Sequence, residues 1–469
     1  MDQIRAALSA VNSYLSDLGA SITLPFLIVI FGMILGQKFS QALRAGLLIG
    51  VGFIGLNLVI GLMGTQVGPA ASGIAKLLGV NLTTIDVGWP ASAAIAFGST
   101  IGAIIIPLGL AVNIVLLTFG LTRTLNIDLW NFWHSALVGA LVDSVTGSFW
   151  VGMAAAAVHM TVVLALADLS APWIQKYFGF PDISFPHGTS APYIAFAAPM
   201  NWVFDRIPGF NKWQADPESI QKRFGIFGEA MILGFILGLL LGIFGFGFDD
   251  PRSDSIAILT LAVSLAAVMV LLPRMVALLM EGLIPISDSA KAFVERRFPN
   301  RKFYIGLDSA IAVGHPAVLA TSLVLVPVTV VVAVLLAPLG NTVLPLVDLS
   351  TIPFIVCMMV PIFRGNIVRS VIGGAIVIGL GLFIASATAA SFTSIAVKSG
   401  FELPADTTQI SSLVDGANPL TGLFFWLSGF GGWTIAVLAV VALGFAYWVS
   451  RVEKKRDAAR AEEPVAAEG

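Results

Sequence analysis

The sequence predicts an all-α polytopic membrane protein of about eleven transmembrane helices, with two inverted repeats and re-entrant hairpins. Three observations carry that prediction. Hydrophobic residues make up 57% of the chain and charged residues only 11%, with a mean hydropathy of +0.93; a soluble globule needs far more polar surface. Apolar runs long enough for a bilayer core, about 20 residues each, recur along almost all 469 positions. The two halves also carry matching residues in the same order: Pro69 with Pro285 and Ala94–Gly98 with Ala310–Gly314, then Pro107 with Pro327 and Asp128 with Asp348. Five spans precede the centre of the chain, so the second copy starts on the opposite face and runs inverted, as in many carriers.

In chain order, residues 1–19 read as a short amphipathic segment with no removable signal peptide: Asp2, Arg5 and Asp17 take the place of a basic start and an apolar run. Spans come at Leu24–Gly36 and Gly46–Met63, the second rich in glycines that suit close helix packing. Gly68–Lys76, a break at Asp86–Pro90 and a span at Ile101–Leu121 come next, then a span opening at Ile127–His134 and another at Gly147–Ala167. Basic residues mark Asp205–Arg223 and Ser287–Lys302 as cytoplasmic loops around spans at Phe227–Phe246 and Ile256–Leu272. Further spans lie near Thr321–Leu336, Ile352–Phe363 and Ile367–Ala387, the second short for a crossing. A loop Ser391–Gly422 and a final span Leu423–Val449 lead to the basic run Arg451–Arg456. Alternating sides from that tail puts the N-terminus outside and the C-terminus in the cytoplasm.

The centre of the chain, Ser184–Pro199 (SFPHGTSAPYIAFAAP), reads as a substrate-binding hairpin. Pro186 and Pro192 lack the N–H a continuous helix needs, and Gly188, Thr189 and Ser190 suit a bent backbone. His187 between those breaks is costly to bury without a partner, and broken helices with polar groups line cavities in membrane proteins. The rival reading is a connector whose histidine bonds a backbone carbonyl. A second break, Gly306–Pro316, carries Asp308 and His315, and His134 opens a span after Asp128. Carboxylate and imidazole groups together suit polyhydroxylated ligands, whose hydroxyls donate and accept. The predicted polar centre is His187, Asp308 and His134, bordered by Asp86, Trp89, Thr189, Ser190 and His315. His159, among alanines, reads as packed and satisfied.

Several chemistries find no support. The histidines give no close ligand pair for a metal; no phosphate-cradling loop, metalloprotease motif or serine elbow is present; and no cofactor is implied. Cys357, the single cysteine, lies in IPFIVCMMV and should be a poor nucleophile. Arg364 and Arg369, beside Gly365–Asn366, are either positive-inside anchors or a meeting point for phosphate brought by a partner. Glu229 suits a helix N-terminus through the dipole. A net charge of −2 gives no nucleic-acid signature.

Over roughly Leu18 to Val377 the chain resembles the membrane-spanning IIC component of the galactitol-type phosphotransferase system. The resemblance rests on GPAA (Gly68–Ala71), DVGWP (Asp86–Pro90), NIDLWNFWH (Asn126–His134), PHGTSA (Pro186–Ala191), QKRFGIFGE (Gln221–Glu229), IGLD with GHPAV, and RGN (Arg364–Asn366). It implies a homodimeric carrier, related to the ascorbate carriers, in which a V-shaped scaffold holds a mobile core. It also implies IIB and, indirectly, IIA proteins as partners; IIB, phosphorylated on its own cysteine, passes the phosphate to the bound galactitol or similar polyol. On that plan residues 1–67 and 205–303 form the scaffold, 68–204 and 304–390 the core, 391–450 an external loop and last helix, and 451–469 a cytoplasmic tail. The class alternatives are an ion-coupled secondary transporter of a polyol or sugar and a structural membrane protein.

Overall fold

The computed structural model describes residues 20–462 apart from 78, 80–81, 129, 209, 211–214, 216–217, 219–229, 298–301, 402 and 404–407. Residues 1–19, the QKRFGIFGE motif and Glu229 lie outside the described residues.

Helices dominate because a backbone in hydrocarbon must satisfy its own hydrogen bonds. They are α1 (Ala20–Ile34), α2 (Phe39–Leu77), α3 (Gly88–Gly98), α4 (Ile105–Thr118), α5 (Trp133–Thr146), α6 (Phe149–Phe178), α7 (Ile194–Phe204), α8 (Ala230–Phe246) and α9 (Pro251–Arg297). After them come α10 (Ala310–Val313), α11 (Pro316–Leu336), α12 (Ile352–Val356), α13 (Met359–Ile362), α14 (Ile367–Lys398), α15 (Pro419–Ser428) and α16 (Trp433–Glu462). Among the described residues five helices are long and apolar enough to cross a membrane, and a bent pair brings the number to six. The chain is an all-α polytopic membrane protein.

Several elements differ from the sequence expectation. The segments Gly46–Met63 and Gly68–Lys76 are one 39-residue helix, α2, with Pro69 inside it. The expected loop Ser287–Lys302 is helical as far as Arg297, the end of the 47-residue α9. The α9 helix runs on past its apolar stretch because Ala, Lys, Glu and Arg are good helix formers; α2 continues through Pro69 where it packs on α8, Gly73 lying against Gly245. The span expected at Ile101–Leu121 runs Gly102–Thr118, and it is joined at 77° to a preceding helix, Ala91–Gly98, that is absent from the sequence expectation. The Ile352–Phe363 segment is two short helices, α12 and α13. The expected loop Ser391–Gly422 starts only after Lys398, and the final span Leu423–Val449 is interrupted between α15 and α16, where Gly431 takes φ +113°.

α1, α2, α8 and α9 pack on one another. The glycine reading of the second span holds at Gly46, where a Cβ would lie 2.7 Å from the Pro25 carbonyl oxygen. The remaining helices gather around two small parallel sheets. In one, β1 (Thr84–Asp86) lies between β5 (Val343–Leu344) and β6 (Gln409–Ser411); in the other, β4 (Tyr304–Gly306) lies between β2 (Thr124–Asn126) and β3 (Ile183–Ser184). Each sheet thus takes its central strand from one half of the chain and both edges from the other. The strands are only two or three residues long, yet they satisfy the backbone where the helices are interrupted.

Candidate functional site

Parallel strands end at a common edge, so the segments leaving them are brought together. β4 runs into Leu307 and Asp308, β3 into Pro186 and His187, and β2 into Asp128 and the turn Trp130–Phe132 that opens α5 with His134. The register Asn126↔Gly306 and Ser184↔Gly306 aligns these exits. His187, Asp308, His134 and Thr189, all expected from the sequence, meet there.

His187 Nε2 lies 3.3 Å from Asp308 Oδ1. The backbone N–H of Thr189 donates to His187 Nδ1 at 3.2 Å, so Nδ1 is the acceptor and Nε2 carries the proton shared with Asp308. The N–H of Ala310 also donates to Asp308 Oδ1, at 2.8 Å. The His134 ring is 5.0 Å from that of His187. Its Nδ1 lies 2.9 Å from both oxygens of Asp415, which leaves Nε2 to accept from Thr189 Oγ1 at 3.4 Å. Asn131 donates to Asp128 Oδ2. Phe354 stacks on the His187 ring at 5.7 Å.

The hairpin is held by polar contacts of its own. Asn418 Nδ2 donates to the Gly188 carbonyl at 3.0 Å, and Ser190 Oγ meets Ser309 Oγ at 2.8 Å and donates to the Phe354 carbonyl at 2.6 Å. Glycine is required at 188 because a Cβ there would lie 2.5 Å from the His134 Cβ and Cγ. Asp308 is the most open of the four titratable side chains, 13% exposed against 6% for His187 and 2% for His134 and Asp415.

The other expected residues sit elsewhere. Asp86 is consumed by the backbone: Oδ1 accepts from Gly88 N at 3.2 Å, and Oδ2 from Leu346 N at 3.0 Å and Asp348 N at 2.8 Å. Trp89 donates its backbone N–H to Asp348 Oδ1 at 2.8 Å. The residue lines a separate cavity of about 700 Å³ between α2 and the turn Val347–Thr351. His315 caps α11, accepting from Ala317 N at 3.2 Å, and packs on the Tyr177 and Phe178 rings. His159 is satisfied by Ser135 Oγ at 2.8 Å. With His134, Asn113, Asn126 and Asn131 it lines a cavity of about 20 Å³, room for a water and not for a polyol.

Sequence reasoning missed Asp415, Asn418 and Asp348 as partners. Asp348 accepts from Ser412 Oγ at 2.7 Å and Val414 N at 3.2 Å, which ties the β5 exit to the β6 exit that carries Asp415. A signal was present: VDGANP (Val414–Pro419) has the same glycine and helix-opening proline as PHGTSAP (Pro186–Pro192). Both prolines start short helices.

The interrupted helices and a polar centre buried inside an apolar shell define a membrane protein that passes small polar solutes. The family model for the PTS system sugar-specific permease component matches residues 14–406, and the chain belongs to that family. It is 40% identical over 415 residues to the PTS system galactitol-specific EIIC component of Escherichia coli strain K12, covering 88% of this chain and 90% of that one. The same component of Escherichia coli O157:H7 is also 40% identical over the same shares.

Proposed function

We propose that the protein binds galactitol or a similar polyol at the His187–Asp308 and His134–Asp415 centre and carries it across the bacterial inner membrane, where a separate IIB protein phosphorylates it. The observation that carries this reading is the pairing of two imidazole–carboxylate couples with their rings 5.0 Å apart, in a chain 40% identical to galactitol-specific components. Carboxylates accept from a polyol's hydroxyls, and imidazole Nε2 atoms of fixed tautomer donate or accept. Thr189 completes the centre, Ser190 supports its hairpin, and Asp86, Trp89 and His315 act as framework around it.

The finer architecture belongs to the same proposal. The exchange of strands between halves supports two inverted repeats; about eleven spans with the N-terminus outside and the C-terminus inside follow from the apolar runs and basic loops of the sequence. The mutual packing of α1, α2, α8 and α9 supports a scaffold unit made of residues 1–67 and 205–303, which on the family plan pairs with a second copy. The core, the residues after Leu77 up to 204 and 304–390 together with Asp415 and Asn418 from the 391–450 segment, would slide against it, because Gly68–Leu77 continue α2 and move with the scaffold. The cavity beside Trp89 gives this movement room, and the same movement would open the centre, whose cavity beside His134 is only water-sized here.

Binding of a hexitol and pentitol panel to purified protein, with uptake in vesicles, tests the reading. Phosphorylated product should appear only when IIA and IIB are supplied. Accumulation of unmodified polyol on an ion gradient, in vesicles lacking every phosphotransferase protein, would favour the ion-coupled transporter instead.

A further inference from the structure

We infer that the cleft between the end of α4 and the last turns of α16 is a binding site for an anionic phospholipid. The cleft encloses about 500 Å³ and is lined by Leu117, Phe119, Arg123, Lys302, Lys454 and Asp457 among others. Arg123 pairs with Asp457 at 2.8 Å and Glu453 at 3.7 Å, Lys302 pairs with Asp457 at 3.1 Å, and Arg456 pairs with Glu453 at 2.6 Å. The lining itself thus carries three cations, Arg123, Lys302 and Lys454, and one carboxylate, Asp457. Lys454 is exposed and makes no ion pair with the described residues. The local excess of positive charge calls for an anion.

The apolar side of the cleft says which kind. Leu117 and Phe119 line it, and Ile114 and Tyr447, one turn back from the lining residues Leu117 and Ser450, are more than half exposed. Ser450 Oγ donates to the Gly120 carbonyl at 2.8 Å, fastening the two elements together. An apolar turn of each helix therefore leads away from a basic rim, and aromatic side chains beside a charged rim suit a membrane interface. A soluble phosphate would satisfy the rim and leave the walls bare; a phosphatidylglycerol satisfies both. Basic pockets between spanning helices hold lipid headgroups in this way.

The test is native mass spectrometry of the purified full chain with dioleoyl phosphatidylglycerol, dioleoyl phosphatidylethanolamine or inorganic phosphate. The parent should retain phosphatidylglycerol in preference to phosphatidylethanolamine. Lys302→Ala and Lys454→Ala should each weaken retention about fivefold, since a cation near the headgroup contributes about that factor. The control pair Arg451→Ala and Lys455→Ala, outside the lining, should leave retention unchanged. Phe119→Ser should weaken the dioleoyl lipid more than its dihexanoyl analogue. Equal retention of both lipids, equal loss in the control pair, or displacement of the lipid by an equal concentration of inorganic phosphate would overturn the proposal.

Discussion

The Nδ1 atom of His134 lies 2.9 Å from each carboxylate oxygen of Asp415, across 281 residues of chain. That contact fixes which imidazole nitrogen faces the Thr189 hydroxyl and so which face of His134 is available to a ligand. Asp415→Asn can donate to Nδ1 and reverse the tautomer. It should weaken polyol binding by about 1 to 3 kcal/mol, the cost of a mispaired buried hydrogen bond, measured by calorimetry on folded protein. Parental affinity would remove Asp415 from the centre.

His187→Ala and Asp308→Asn should each cost a similar amount, about 1 to 3 kcal/mol of binding. Asp308→Asn keeps an oxygen for the Ala310 N–H, so it should fold normally and isolate the loss of charge. If both variants bind polyol as the parent does, the ligand binds elsewhere.

Gly188→Ala tests the packing beneath the site. The new Cβ would press on the His134 side chain at 2.5 Å, and overpacking of this kind costs about 1 to 3 kcal/mol. Gly444→Ala in α16, with nothing within 4 Å of the added methyl, should unfold at the parental temperature or slightly above it. The contrast is read from the two thermal midpoints.

At the end of α7, Asp205 accepts from Arg369 Nη1 at 2.7 Å and Arg364 Nη2 at 2.9 Å. The Arg369 hydrogen bond holds its carboxyl below the ordinary value, helped by the nearby Arg364 charge and opposed by burial. Because the folded value is depressed, the stabilisation is complete above the unfolded carboxylate pKa of about 4 and is lost as pH falls through the folded value. Asp205→Asn should therefore be less stable than the parent at pH 7, with the gap closing as the solution is acidified below about pH 4. A gap independent of pH would assign the effect to packing.

Membrane residence and helical class were legible in the sequence because both depend on composition and on the length of apolar runs, which need no knowledge of neighbours. The breaks at His187 and Asp308 were legible too, since proline, glycine and a lone ionisable group leave local marks. Helix ends were less so: α9 continues to Arg297 although the hydropathy falls, because hydropathy reports the solvent and not the backbone. Which polar residues meet was decided only by tertiary structure. Asp86 and Asp308 look alike as acids beside a helix break, yet the loop leading to Asp348 turns the Leu346 and Asp348 N–H groups onto Asp86, and with Gly88 N they close it off. Asp308 keeps an open edge beside His187. His315 resembled His187 in sequence and became a helix cap because Ala317 N lies within its reach. Asp415 sat in a segment read as an outer loop, and the parallel pairing of β6 with β1 carries it towards the centre. Hydrogen bonds act over about 3 Å, so pairing across hundreds of residues is set by strand register and packing, which no local pattern records.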